Sequence, residues 1–381
     1  MTSAGPGPVR WIAGAMTGTS LDGLDVALAR VTGRGLGMTA ALVAHASQPL
    51  GPLRDDLLIL ARGDAQPPRA YLRAARRLGE LHADAIDALC RASLPHDATL
   101  DFVAAHGQTI CHLPGEGLSW QLLDPWPVVR RLGVAVVHDL RQADLIAGGQ
   151  GAPITPIADP ILYGGDTGLV FNLGGIVNYT AWGGRAGRIE GGDITTCNLL
   201  LDGLIQRLKP GTRFDRDGEL AMAGEADDAL VALIAAAIPT APGPDTSLGR
   251  EQLTAATLDA LVERILAAVP DATAERVLAS AVEAIADRTH AYVEAHAPAR
   301  VIVAGGGARN AALVAAMKRR DTDANRWLLS DELGIACEAR EAMAFAVLGA
   351  LCDDGVPITL PHITGSAEVG VAGVAGVWAG R

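Results

Sequence analysis

Asp193 is the carboxylate best placed to take a proton. It stands in Glu190-Gly-Gly-Asp-Ile-Thr-Thr-Cys-Asn198, after a glycine pair and before the helix-like run Leu199–Leu208. There it would face a ligand from a helix N-terminus as a general base; an N-cap aspartate fits the same spacing. Phosphoryl transfer needs such a group beside a cradle for phosphates. Three glycine loops that follow apolar runs offer one: Gly18-Thr19-Ser20-Leu21-Asp22-Gly23, Gly174-Gly175, and Gly305-Gly306-Gly307-Ala308-Arg309-Asn310. Glycine lets backbone N–H groups point at an anion, Thr19 and Ser20 add hydroxyls, and Asp22 adds a carboxylate for water or Mg²⁺. A plain glycine-rich turn is the alternative for each loop taken alone. His106-Gly107-Gln108-Thr109 follows a buried run, so Gln108 and Thr109 can meet sugar hydroxyls; a polar turn with a satisfied histidine is the bland counterpart. Arg141 and Asp144 suit a carboxylate and a hydroxyl, or a surface ion pair. Glu341 interrupts an apolar helix and needs a partner there.

These side chains require strands that end at the loops and helices that leave them. Trp11–Thr17 and Leu24–Arg30 read as strand, turn, strand, with Leu24, Val26 and Leu28 alternating. Helical sequence runs from Arg54 to about Ala92. Asp101–Ala105 and Val134–Val137 read as buried strands, and Ala147–Pro153 as a loop. The second half restarts: Leu169–Trp182 is again strand, glycine turn, strand, a repeat in design. Helices are expected over Asp227–Ile238, Leu253–Val269, Ala272–His296, Ala311–Arg319 and Glu338–Cys352, with a strand at Val301–Ala304. The pattern predicts two α/β lobes facing one cleft for nucleotide and substrate: 1–145 plus 340–381, and 146–339. A Walker-type P-loop is absent from the sequence, and no G-x-G-x-x-G follows a strand.

Composition narrows the classes. The chain has 381 residues, 49% hydrophobic, enough to bury a large core. A formal net charge of -12 leaves no nucleic-acid or anionic-membrane footprint. Five cysteines without a CxxC pair suit reduced thiols in a cytoplasm. The N-terminus does not read as a signal peptide, and no apolar run reaches membrane-spanning length.

Taken in order, these segments resemble the anhydro-N-acetylmuramic acid kinases of bacteria. Gly18, Thr19, Ser20, Leu21, Asp22, Gly23, Leu24 and Asp25 look like the family's ATP-binding loop, and Ala105-His-Gly-Gln-Thr-Ile110 like its substrate-side motif. Asp139-Leu-Arg141 with Ala147-Gly-Gly-Gln-Gly-Ala-Pro-Ile154 is similar to its central signature. Asn172-Leu-Gly-Gly-Ile176 with Asn178 matches a second phosphate loop. Phe214-Asp-Arg-Asp-Gly218 and Gly249-Arg-Glu251 match further segments, Gly306, Gly307 and Asn310 belong to an adenosine loop, and Glu341–Ala346 and Thr364-Gly365 match the C-terminal part.

The resemblance implies a two-lobed actin-like ATPase (ribonuclease H-like) fold, ATP with Mg²⁺, a homodimer, and a small anhydro-sugar substrate. It implies Asp193 as the water-activating base, with His106, Gln108, Thr109, Arg141 and Glu341 on the substrate side. The reaction implied is hydrolytic opening of 1,6-anhydro-N-acetylmuramic acid with phosphorylation of O6, a step of cell-wall recycling. A kinase for another anhydro-sugar, such as levoglucosan, and a catalytically weak nucleotide-binding protein are the competing readings. Two departures stand out. Thr195-Thr196-Cys197 replaces the Gly-Pro-Gly turn usual after the catalytic Asp, and Leu248 replaces a usual Thr. Branched Thr disfavours φ > 0, so a differently shaped loop is expected.

Overall fold

The computed structural model describes residues 7–18, 21, 23–63, 65–183, 188–240, 248, 253–367 and 377–380. Two compact units form, residues 1–164 with 338–381, and residues 165–337.

In the first unit β1 (Val9–Thr17), β2 (Gly23–Thr32) and β3 (Thr39–Pro49) make an antiparallel meander. Next come α1 (Leu53–Ala61) and α2 (Pro68–Ser93). The single helical stretch expected from Arg54 breaks between them. Pro68 cannot continue a helix, yet its locked φ and missing N–H suit the first position of a new one. β4 (Phe102–His106) then runs parallel to β1. A hairpin of β5 (Gln108–Leu113) and β6 (Leu118–Leu122), α3 (Trp126–Leu132) and β7 (Ala135–His138) follow. The short helices α4 (Gln142–Ile146) and α5 (Asp159–Tyr163) complete this part.

The second unit opens with the meander β8 (Gly168–Leu173), β9 (Ile176–Trp182) and β10 (Glu190–Thr196). Five helices follow: α6 (Asn198–Leu208), α7 (Glu219–Ala223), α8 (Asp228–Ala237), α9 (Ala255–Ala268) and α10 (Ala274–His296). Then β11 (Val301–Ala304), α11 (Ala311–Arg319) and β12 (Trp327–Leu329) close the sheet. The chain returns to the first unit with α12 (Arg340–Asp353), α13 (Pro361–Thr364) and β13 (Val377–Ala379).

The sheet orders are β13-β7-β4-β1-β2-β3 and β10-β9-β8-β11-β12. In both, three antiparallel strands are followed by two that run parallel to the first, which sits at the centre. This is the ribonuclease H-like order, present twice, so the predicted fold class and the internal repeat both stand.

Residues 146–164, expected in the second lobe, pack with the first unit. The Gln150 N–H donates to the Thr364 carbonyl at 2.8 Å, and the Arg340 guanidinium grips the Asp159 carboxylate, both side chains buried. That ion pair carries the first unit's return segment and was invisible in the linear pattern.

Each core follows from periodicity. β2 turns Leu24, Val26 and Leu28 towards Leu57, Leu78 and Ile86 of α1 and α2. α12 is apolar on every side and therefore lies buried across β1, β2 and β4. Gly14 makes this packing possible: a Cβ there would stand 1.9 Å from the Ala342 carbonyl oxygen. In the second unit β8 and β9 turn Leu169, Phe171, Leu173, Val177 and Tyr179 towards α6 and α10. By alternation Asn172, Asn178, Thr180 and Asp193 share the opposite face.

Candidate active site

Asp193 lies within β10, not at a helix N-terminus; the N-cap of α6 is Cys197. A β-bulge between Asp193 and Thr195 redirects the strand just past the carboxylate. Only 6% of Asp193 is exposed. Its Oδ1 accepts from the side-chain amide of Asn178, its cross-strand partner, and its Oδ2 accepts from the Leu248 N–H at 2.5 Å. One N–H on each oxygen orients the carboxyl plane. Burial, and after it the Asp193 charge, raises the Tyr292 phenol above its usual range.

The Gly174-Gly175 turn joins β8 to β9, and its carbonyls accept from the first amides of α6. Cys197 N–H donates to Gly175 at 2.8 Å, and Asn198 N–H to Gly174 at 3.1 Å. The turn is thereby latched to the helix that follows Asp193. Beside it, β11 leads into Gly305 at φ 82°, where a Cβ would stand 2.6 Å from Asn172 Oδ1. At Gly307 a Cβ would meet Leu173 at 2.8 Å, whereas at Gly306 it would meet nothing. Two glycine loops thus meet at the ends of the parallel pair β8 and β11, with backbone exposed at Gly306. Asn310 does not present its amide oxygen here; it caps α11 by accepting from Leu313 N–H at 3.0 Å.

In the first unit Thr19, Ser20 and Asp22 lie outside the described residues, and in the second so do Gly249, Arg250 and Glu251. Among the rest of that loop, Gly18 accepts from Leu21 N–H at 3.1 Å. Leu21 adopts φ 57°, a conformation costly for a branched residue. The Leu21 and Leu24 side chains belong to the core, so only their backbone can serve a ligand. Gly23 begins β2, close to the Gln48 carbonyl, and Asp25 accepts from Ser47 on the neighbouring strand. Leu21 is thus held in a strained conformation by its own apolar side chain.

His106, Arg141 and Glu341 come together in this unit. Arg141 Nε donates to His106 Nε2 at 3.1 Å, and Nη1 donates to the Gly151 carbonyl at 2.7 Å. Nη2 keeps its donors without a partner among the described residues. Burial, then the Arg141 charge, pushes His106 well below its ordinary pKa, so the ring is neutral and accepts through Nε2. Burial likewise lowers Arg141 to about 10, while the charges of Glu341 and Asp144 work against the shift. Glu341 is partly exposed in the first turn of α12, not buried mid-helix as its apolar neighbours suggested. Acidic charge there also suits the helix dipole.

Asp144 has a different task from the one its sequence position suggested. Its Oδ2 accepts from Gly151 N–H at 2.7 Å and its Oδ1 from the Thr364 hydroxyl at 2.7 Å. A Cβ at Gly149 would stand 2.2 Å from Oδ2. The Gly-Gly-Gln-Gly run is therefore a loop wrapped on one buried carboxylate. Gln108 and Thr109 sit on β5, facing opposite ways by strand alternation. Sequence reasoning passed over Ser119 and Gln121 on β6; alternation with Thr109 across the hairpin was the available signal. Among the described residues no group of three metal-ligating side chains occurs.

A family model described as anhydro-N-acetylmuramic acid kinase matches residues 10–376. The chain belongs to this family. A relative of that name from Parasynechococcus marenigrum is 36% identical, covering 95% of this chain and 98% of the relative. Another from Bordetella pertussis is 35% identical, covering 96% of each. A third, from Salinibacter ruber, is 34% identical over 94% of each. The two departures from the family pattern now have physical accounts. Leu248 serves Asp193 through its backbone N–H, which the change from Thr leaves intact. Thr195 and Thr196 simply extend β10, and none of residues 195–197 takes a positive φ. The Thr195 hydroxyl donates to the Pro239 carbonyl at 2.7 Å, which fastens the loop from outside.

Proposed function

We propose that this protein uses ATP and water to open 1,6-anhydro-N-acetylmuramic acid, yielding N-acetylmuramic acid 6-phosphate and ADP. The observation that carries the reading is Asp193, a buried carboxylate oriented by one N–H on each oxygen. Water attacks the anomeric carbon and gives its proton to Asp193. The C1–O6 bond breaks, and O6 takes its electron pair to the γ-phosphorus. The bond to the β-phosphate oxygen breaks and ADP departs; the proton on Asp193 passes to solvent. Asn178 and the Leu248 N–H hold the base so that it needs no reorganisation at the moment of transfer.

On this reading Gly18–Gly23, Gly174-Gly175 and Gly306-Gly307 lie along the nucleotide, and Arg141 receives the sugar's lactyl carboxylate through its unused Nη2. Asp22 would hold Mg²⁺ through water, with the phosphates as its other ligands, in keeping with how that ion is usually bound. Bound Mg²⁺ supplies charge neutralisation on the phosphates. We further propose a cytoplasmic homodimer. Reaction in ¹⁸O-water tests the chemistry: label is expected at the anomeric hydroxyl and none in the phosphate. Label in the phosphate, or sugar-independent ATP hydrolysis alone, overturns the reading in favour of an ATPase or a scaffold.

A further inference from the structure

The β5–β6 hairpin carries a largely buried polar network. Thr109, His112, Ser119 and Gln121 are brought together across its register. The Ser119 hydroxyl donates to the Cys111 carbonyl at 3.3 Å. It lies 2.7 Å from Gln121 Nε2 and 2.9 Å from His112 Nδ1. A hydroxyl has one proton; given to the Cys111 carbonyl or to the His112 ring, it leaves the Ser119 oxygen accepting from Gln121 Nε2. The Gln121 amide points its NH₂ at Ser119 and towards Thr109 Oγ1 at 3.4 Å. This leaves Gln121 Oε1 buried, with no partner among the described residues. A half-satisfied buried network is unfavourable unless a donor arrives.

The hairpin is also tied to the charged cluster. It begins directly after His106, which holds Arg141, and the side-chain amide of Gln142, next to Arg141, donates to the Ser119 carbonyl. We propose that Gln121 is a specificity-determining residue that accepts a hydrogen bond from a neutral donor on the sugar, a ring hydroxyl or the acetamido N–H. Ser119 and His112 are its positioning residues. An amide oxygen attracts such donors and gives nothing to a carboxylate or phosphate, so this position reads the uncharged part of the substrate. The inference rests on the function proposed above.

Steady-state kinetics of wild type, Gln121→Leu and Ser119→Ala with Mg·ATP and the anhydro-muramic substrate test it, alongside melting curves and ADP binding. Gln121→Leu is expected to raise the sugar KM about 10-fold. kcat should change little, ADP should bind as in wild type, and Tm should hold or rise because the lone acceptor is gone. Ser119→Ala should raise KM less. Repeating the series with levoglucosan, which has hydroxyls but no acetamido group, separates the donors: a KM penalty that persists assigns the hydroxyl, and one that vanishes assigns the N–H. An unchanged KM for the muramic substrate, whether Tm falls or not, overturns the proposal. Should wild type fail to phosphorylate that substrate, the proposed function fails. Equilibrium binding of 1,6-anhydro-N-acetylglucosamine then decides separately: binding lost in Gln121→Leu supports the site, and binding unaltered or absent in wild type overturns it.

Discussion

The two units share a strand order and differ in what they hang on it. At the end of the fourth strand, the first unit places His106, then a polar hairpin, and anchors Arg141. At the same topological point the second unit places Gly305–Gly307 and runs straight into α11. Between the first two strands, one unit has Leu21 buried at φ 57° and the other the Gly174-Gly175 turn latched to α6. The second sheet face is apolar under α12 in one unit, and carries Asn172, Asn178, Thr180 and Asp193 in the other. One scaffold thus offers a cationic cluster beside a polar hairpin in one copy, and bare backbone with a carboxylate in the other. The lesson is that chemistry resides in what is grafted at strand ends, while the repeated core sets only their positions.

The largest expected effect comes from the second unit's carboxylate. Asp193→Asn keeps the shape and removes the base, so turnover should fall by about 10²–10⁴-fold. ADP affinity, measured by calorimetry, should stay near wild type. A variant with near-normal turnover would break the division of labour drawn above.

The first unit should instead be the more fragile to one charge change. Arg340→Leu strands the fully buried Asp159 and should cost about 3–5 kcal/mol of stability in denaturant melts. Adding Asp159→Leu should restore most of that loss. Hydrogen exchange should report the loss in α5 and α12 and spare β8–β11; equal loss in both would show that the units unfold as one.

A smaller effect is expected at Arg141. Arg141→Lys keeps a charge but loses the fork geometry, so kcat/KM for the anhydro-sugar should fall about 10–100-fold. Nucleotide affinity should be unchanged. Weakened ADP binding would mean that the cationic cluster serves the phosphates instead.

The mildest prediction concerns acid. Burial tends to raise Asp354 and Asp321, yet each stays below the ordinary carboxyl value near 3.8. Arg10 and the Gly35 N–H hold the first down; Arg326, the Asp323 N–H and the Trp327 indole hold the second. Folded values below the unfolded one give stability that is present above about pH 3.8 and lost as pH falls through the folded values. Asp354→Asn and Asp321→Asn should each flatten the acid side of a Tm–pH curve. Two resolved acid transitions would sharpen the contrast between the units; flattening by neither variant would remove these clamps from the account.

The order of apolar runs, glycine turns and helical stretches in the chain was sufficient for two α/β lobes, and the family resemblance implied the ribonuclease H-like fold. Periods of two and of about 3.6 are local properties, and β1, β2, β4, β7, β8, β9, β11 and the long helices were legible from them, whereas β3 and β10, the third strand of each meander, were not. The motifs also carried the family. Partnership was not legible, because it is non-local. Nothing near Asp193 in sequence announces that its oxygens meet Asn178 and the Leu248 backbone. Nothing near Asp144 says that it folds the loop 148–151 around itself and reaches Thr364. Glu341 read as buried because helical spacing gives no sense of where a helix begins in space. Residues 146–164 read as the second lobe because composition cannot reveal that Asp159 pairs with Arg340. Local periodicity determines which elements form. The pairing of buried charges and amides, which must be satisfied wherever the tertiary structure brings them together, decided what each polar residue is for.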